Sequence, residues 1–263
     1  MKKKLAPLTI LVGSGKGGVG KSTVAVNLAV ALASIGLEVG LLDADLYGPS
    51  LPIMLGLRRL VPRKEVLPNG KEALMPFYKF GIKSASLGFF IEESRTVLWR
   101  GPMMSGALEK LVHDIEWGPL DIFIVDLPPG TGDVPISLSK ILEISGALIV
   151  TTPQEVATLD AAKAIGCFYE LSIPLLGIVE NMSGFKAPGS DIVYHLFGEG
   201  GAKDLAYRFD TEILASIPLH PLIGIGAEEG CPVAVKGNLR EESKIFHELA
   251  KRLLQTVSQH NLA

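Results

Sequence analysis

Leu8-Thr9-Ile10-Leu11-Val12 runs without a break into Gly13-Ser14-Gly15-Lys16-Gly17-Gly18-Val19-Gly20-Lys21-Ser22. The first five residues suit a buried strand, and Ser22–Ile35 carries helical patterning that Gly36 ends. Between them Gly15–Ser22 fits G-x-x-x-x-G-K-[ST], in the strand-to-helix setting that gives the motif its meaning. Glycines let the main chain wrap closely round an anion, so successive N–H groups and the positive helix end face phosphate oxygens. Lys21 then reaches the β- and γ-phosphates, and the Ser22 hydroxyl ligates Mg2+. The expected nucleotide-binding residues are Gly15, Lys16, Gly17, Gly18, Val19, Gly20, Lys21 and Ser22.

The same alternation continues outward from this loop. Val39–Asp43, Ile122–Asp126, Ala147–Thr151, Leu175–Val179 and Ile213–Ile217 are further apolar runs. They are continuous rather than alternating, as in parallel strands covered on both faces. Helical patterning separates them, as at Thr158–Leu171, which ends before Pro174. This order predicts an α/β fold: a doubly wound, mostly parallel sheet flanked by helices. Arg58 to Phe90 breaks the rhythm with Leu67-Pro68-Asn69-Gly70, whose Asn-Gly turn signal predicts a small inserted hairpin. With no repeat, low-complexity segment or linker, residues 1–263 are read as a single domain.

Composition narrows the class. With 25 basic and 28 acidic side chains, the formal charge of −3 argues against holding nucleic acid by bulk charge. No apolar run approaches the roughly 20 residues of a membrane helix. Met1-Lys2-Lys3-Lys4 has the look of an export signal, but the apolar stretch behind it is too short, so a cytoplasmic location is expected. The mean hydropathy of +0.35 points to large buried strands or an apolar subunit interface.

Two acidic segments complete the site. Asp43-Ala44-Asp45 closes the second strand at the sheet edge where ligands of such folds collect. Ile122-Phe123-Ile124-Val125-Asp126 is an apolar strand ending in an acid, placed to hold Mg2+. Leu127-Pro128-Pro129-Gly130-Thr131-Gly132-Asp133 follows, too stiff and glycine-rich for helix, and reads as a switch loop sensing the γ-phosphate.

Lys16 inside the loop makes the sequence resemble the deviant Walker A class of P-loop NTPases, K-G-G-x-G-K-[ST], shared by MinD, ParA, the nitrogenase iron protein and Mrp-type proteins. That resemblance implies that Lys16 reaches across a nucleotide-sandwich dimer to the other copy's phosphates, as an arginine finger does in trans. It also implies that Asp45 orients the attacking water, while Asp43 is structural or stands behind the metal. Lys16, Lys21 and Asp45 are thus the expected catalytic residues, and Ser22, Asp45 and Asp126 the expected Mg2+ ligands. Trp99-Arg100-Gly101-Pro102-Met103-Met104, Trp117-Gly118-Pro119-Leu120-Asp121, Asp43 to Ser50 and Glu180-Asn181-Met182-Ser183 are similar to the Mrp/ApbC branch. The branch implies a cytosolic ATPase homodimer that carries iron–sulfur clusters to apoproteins, with Asn181 hydrogen-bonding adenine through its amide.

One departure matters. The branch places a C-P-x-C pair after the N-M-S segment, and here that place reads Ala187-Pro188-Gly189-Ser190. Neither Ala nor Ser replaces a cluster thiolate. Cys167 reads as a packing residue in a helix and Cys231 as a loop thiol, so no residue is assigned to an iron–sulfur cluster. The expected cofactors are ATP and Mg2+; the expected partners are a second copy of the chain and iron–sulfur apoproteins or other assembly proteins, with neither nucleic acid nor membrane. The alternative is a MinD/ParA-like positioning or partition switch, for which Ser243–His260 is the candidate membrane helix. Its mixed polar face reads better as a last helix packed on the core.

Overall fold

A computed structural model of the chain describes residues 2–68, 70–90, 101–235, 237–238 and 240–260. Asn69 of the hairpin turn signal and the Trp99-Arg100 pair lie outside the described residues. The chain opens with β1 (Leu8–Gly13), α1 (Lys21–Ser34), β2 (Val39–Asp43) and the short α2 (Leu51–Met54). Next come β3 (Lys64–Val66), β4 (Glu72–Leu74), β5 (Phe77–Lys79) and β6 (Ile82–Ser86). They lead into α3 (Gly101–His113), β7 (Ile122–Asp126), α4 (Asp133–Ile141), β8 (Gly146–Thr151) and α5 (Glu155–Glu170). The last part holds β9 (Leu175–Asn181), β10 (Phe185–Lys186), β11 (Val193–Tyr194), α6 (Gly201–Arg208), β12 (Ile213–Ile217), α7 (Pro221–Glu228) and α8 (Glu241–His260).

Eight strands form one sheet in the order β12-β9-β8-β1-β7-β2-β6-β5. All neighbours run parallel except the edge strand β5. β1 lies between β7 and β8, where the winding reverses, so its carboxyl end opens into the crevice in which such sheets bind ligands. Each inner strand buries alternate residues on opposite faces. Ile10, Leu41 and Ile124 face the layer containing α1 and α8, while Leu11, Leu42 and Val125 face that of α3, α4 and α5. Both faces are covered, which is why these strands read as unbroken apolar runs.

α1 is buried from Val24 through Leu32, wedged between the sheet and α8. α8 covers it with Phe246, Leu249, Leu253 and Val257, all at most 4% exposed. The apolar face of the last helix is therefore occupied by the core. Among the described residues, no helix is long and apolar enough to cross a membrane.

The segment from 58 to 90 is richer than the hairpin expected of it. β3 and β4 form that hairpin as a separate two-stranded ribbon. β5 and β6 instead extend the main sheet, with β6 parallel to β2 along its whole length. Ile82-Lys83-Ser84-Ala85-Ser86 lacks an apolar run, yet Ser84 and Ser86 are fully buried. Their hydroxyls are satisfied by Phe77 O at 3.3 Å and by the Asp43 carboxylate at 3.0 Å. α5 starts three residues before its sequence-based boundary because Ala157 and Thr158 N–H groups close a turn onto Gln154 O, directly after Pro153.

Candidate nucleotide site

Parallel strands deliver Gly13, Asp43, Ser86, Asp126 and Asn181 to one edge of the sheet. Register sets the neighbours: Asp43 pairs with both Asp126 and Ser86, and Val12 with Asp126. The loop from Ser14 to Gly20 rises over this edge and enters α1 through Gly20, whose φ of 84° is left-handed. A side chain at Gly20 would also overlap the Asn181 amide, and one at Gly15 would overlap the main chain of Asp160. Asn181 Nδ2 donates to Val19 O at 2.8 Å, tying the end of β9 to the loop. Ser14 Oγ donates to Lys16 O at 3.1 Å, while Gly130 N donates to Ser14 O at 2.8 Å. The segment after Asp126 is thereby stitched to the loop; it stays non-helical to Gly132, with Asp133 opening α4.

Beneath the loop lies a buried ion pair. Lys21 Nζ stands 2.6 Å from Asp126 Oδ1, with the side chains 6% and 0% exposed. Lys21 also donates to Ser22 Oγ at 3.2 Å. Burial pushes the Asp126 carboxyl above its usual range, opposed by the Lys21 charge and by hydrogen bonds from Lys21 and Ser22. Asp126 Oδ2 is buried with no hydrogen-bond partner. An orphaned carboxylate oxygen beside a serine hydroxyl suits a hard, oxygen-seeking cation, and Mg2+ takes one or two carboxylates with substrate phosphates and water. These residues fit the metal expected here.

Asp43 and Asp45 behave differently. Asp45 is close enough for its charge to raise Asp126 further. Its Oδ1 accepts from Tyr47 N at 3.3 Å and Gly48 N at 3.2 Å, so this oxygen is turned onto its own loop. Asp43 is 1% exposed and its pKa rises from the usual 3.8 to about 7, first through burial and then through the Asp126 charge. The folded chain therefore holds a proton that the unfolded chain releases between those values. Stability carried by this group is complete below about pH 4 and is lost as pH rises towards 7. In thermal unfolding without nucleotide from pH 4 to 7.5, wild type is expected to lose more stability than Asp43→Asn; parallel curves would contradict this burial effect.

Lys16 is exposed, and among the described residues its ammonium forms no ion pair. The Ala187–Ser190 segment is the turn of the β10–β11 hairpin. Ser190 N donates to Ala187 O at 3.0 Å and Ser190 Oγ accepts from Ile192 N at 3.1 Å, so the hydroxyl serves the turn. Cys167 sits in α5, where burial and then the Glu170 charge push its thiol pKa up, and Cys231 is exposed beyond α7. Among the described residues, no group of three or more His, Cys, Asp or Glu side chains could hold a metal ion. Sequence reasoning passed over Ser86, because a serine in a strand carries no motif.

A doubly wound sheet with a lysine-bearing glycine loop at its switch point, facing an acid on the adjacent strand, defines a P-loop NTPase. Residues 7–254 match the family described as ParA: NUBPL iron-transfer P-loop NTPase, and the chain belongs to that family. It is 45% identical over 249 residues to the iron-sulfur cluster carrier protein of Aquifex aeolicus, spanning 94% of this chain and 67% of that one. The iron-sulfur cluster transfer protein NUBPL of Mus musculus is 44% identical over 248 residues, with 94% and 76% covered. Among solved structures, a nucleotide-binding protein of Archaeoglobus fulgidus in complex with ADP superposes with a TM-score of 0.72 at 37% identity, covering 85% and 86% of the two chains. The cell division ATPase MinD of Pyrococcus furiosus shares the fold, with a TM-score of 0.66 at 23% identity over 94% and 98%.

Proposed function

We propose that this chain is a Mg2+-dependent, ATP-hydrolysing homodimer that drives iron–sulfur cluster transfer to apoproteins as the nucleotide-switched partner, without holding the cluster through a cysteine pair. The reading rests on the buried Lys21–Asp126 pair beneath the glycine loop, with one Asp126 oxygen left over. Relatives named iron-sulfur cluster carrier or transfer proteins supply the biological direction.

In this mechanism the N–H groups from Lys16 to Lys21 bind the phosphate oxygens, and Lys21 exchanges Asp126 for the β- and γ-phosphates. Asp126 and the Ser22 hydroxyl would hold Mg2+, which supplies neutralisation of charge on the β- and γ-oxygens. Asp45 orients the attacking water rather than forming a bond, so its contribution is positional. Lys16 of the second copy adds a cation to the γ-phosphate once two chains close on their nucleotides. Asn181, already bonded to Val19 O, offers its amide to the adenine edge and so links base recognition to the loop.

Steady-state phosphate release with and without Mg2+ tests the ATPase directly. Asp45→Ala is expected to lower turnover about a hundredfold while ATP binding persists, leaving an ATP-bound dimer detectable by size-exclusion chromatography. Wild-type turnover in that variant would remove the role assigned to Asp45. Anaerobic reconstitution with iron and sulfide is expected to leave the protein colourless. A stable visible absorption band would overturn the partner-only reading, and Cys231→Ser would then be the first variant to examine.

A further inference from the structure

Asp45 sits on the loop between β2 and α2, where Tyr47 is exposed and the chain has no strand partner. A water-orienting carboxylate on such a loop needs an anchor. The Asp45 N–H donates to Asp43 Oδ1 at 3.0 Å. At the other end of the loop the Leu51 N–H donates to Asp43 Oδ2 at 3.3 Å. One buried carboxylate thus grips both ends of the segment that presents Asp45.

Asp43 itself faces Asp126 across β2 and β7, a like-charge neighbour that favours turning the carboxylate away. On the opposite side β6 brings Ser86 into register with Asp43. Ser86 is fully buried and its hydroxyl donates to Asp43 Oδ2 at 3.0 Å. The Gly88 N–H donates back to Ser86 Oγ at 2.9 Å. A serine has a single proton, and with an oxygen lone pair engaged by Gly88 that proton is directed at Asp43.

We infer that Ser86 is a positioning residue: acting through Asp43, it clasps the 45–50 loop and so fixes Asp45 for hydrolysis. The inference deepens the ATPase reading and rests on it for its kinetic consequence. The bland alternative, a serine that merely fills strand β6, predicts loss of stability alone.

The test compares wild type, Ser86→Ala and Ser86→Cys in kcat, in ATP affinity with Mg2+ and in amide hydrogen exchange. Cysteine fills the site with a slightly larger, weaker donor and serves if the alanine variant does not fold. Both substitutions are expected to lower kcat roughly ten- to a hundredfold with ATP affinity within about twofold. Amide exchange at Asp45 and Leu51 should accelerate about tenfold or more, while that at strand β7 stays unchanged. In the Asp45→Ala background, Ser86→Ala should cost little further turnover, because the group it positions is already gone. Unchanged kcat, an equal loss of affinity, or multiplicative losses in the double variant would overturn the positioning role. Exchange needs no turnover: a wild type without ATPase but with this exchange pattern defeats the hydrolysis reading and upholds the clasp, whereas unaltered exchange defeats the clasp.

Discussion

Lys16→Ala is expected to lower ATP turnover about a thousandfold or more while leaving ATP affinity within a few-fold, measured by phosphate release and calorimetry. The separation follows from where Lys16 stands. Its side chain is exposed, and its own carbonyl is held by the Ser14 hydroxyl at 3.1 Å. Truncation beyond Cβ therefore leaves the loop's main-chain N–H groups in place to bind phosphate. What disappears, in the proposed dimer, is the cation delivered to the other copy's γ-phosphate, a contact that strengthens as charge shifts in the transition state. Mixing provides the sharper measurement. Lys16→Ala and Asp45→Ala chains, each nearly inactive and combined before ATP is added so that no Asp45→Ala dimer is already trapped, should together recover up to about a quarter of wild-type turnover, since at most half the dimers are mixed and each holds one complete site. A lysine acting in cis predicts no recovery, and undiminished hydrolysis by Lys16→Ala alone would dispose of the sandwich dimer.

Lys21→Ala should abolish ATP binding and also destabilise the protein in the absence of nucleotide. The ammonium is 2.6 Å from Asp126 Oδ1 and nearly as buried as its partner. Removing one member of such a pair strands the other charge, at a cost of roughly 3–5 kcal/mol. For a chain of this size the melting midpoint should fall on the order of 10 °C, moderated where Asp126 takes up a proton instead. Lys21→Met with Asp126→Asn should recover much of the midpoint without recovering nucleotide affinity. A Lys21→Ala protein as stable as wild type would mean the pair carries little of the apo structure's stability.

The glycine loop and its strand-to-helix setting were legible because the motif is local: eight consecutive residues specify their own geometry. The five inner apolar strands were legible because parallel strands covered on both faces have no polar side to confuse the pattern, and the edge strand β12 was legible through its buried Leu214 and Ile217 although Ser216 is exposed. β6 was not, since Ser84 and Ser86 replace apolar residues there and are buried only because Phe77 O and Asp43 receive their protons. The extra edge strand β5 followed from that same omission. The missing C-P-x-C pair could be read at once as Ala187 and Ser190, but that Ser190 spends its hydroxyl on the turn follows only from the way the β10–β11 hairpin folds back.

Local sequence determined that a phosphate loop would sit between β1 and α1 and that acids would end β2 and β7, because glycine spacing and strand periodicity are short-range properties. Only the tertiary structure decided that Lys21 meets Asp126 across 105 residues, that Asp43 lies between Asp126 and Ser86, and that Asn181 braces Val19. Those meetings depend on strand order and register, which are settled by packing both sheet faces at once and leave no mark in any single segment.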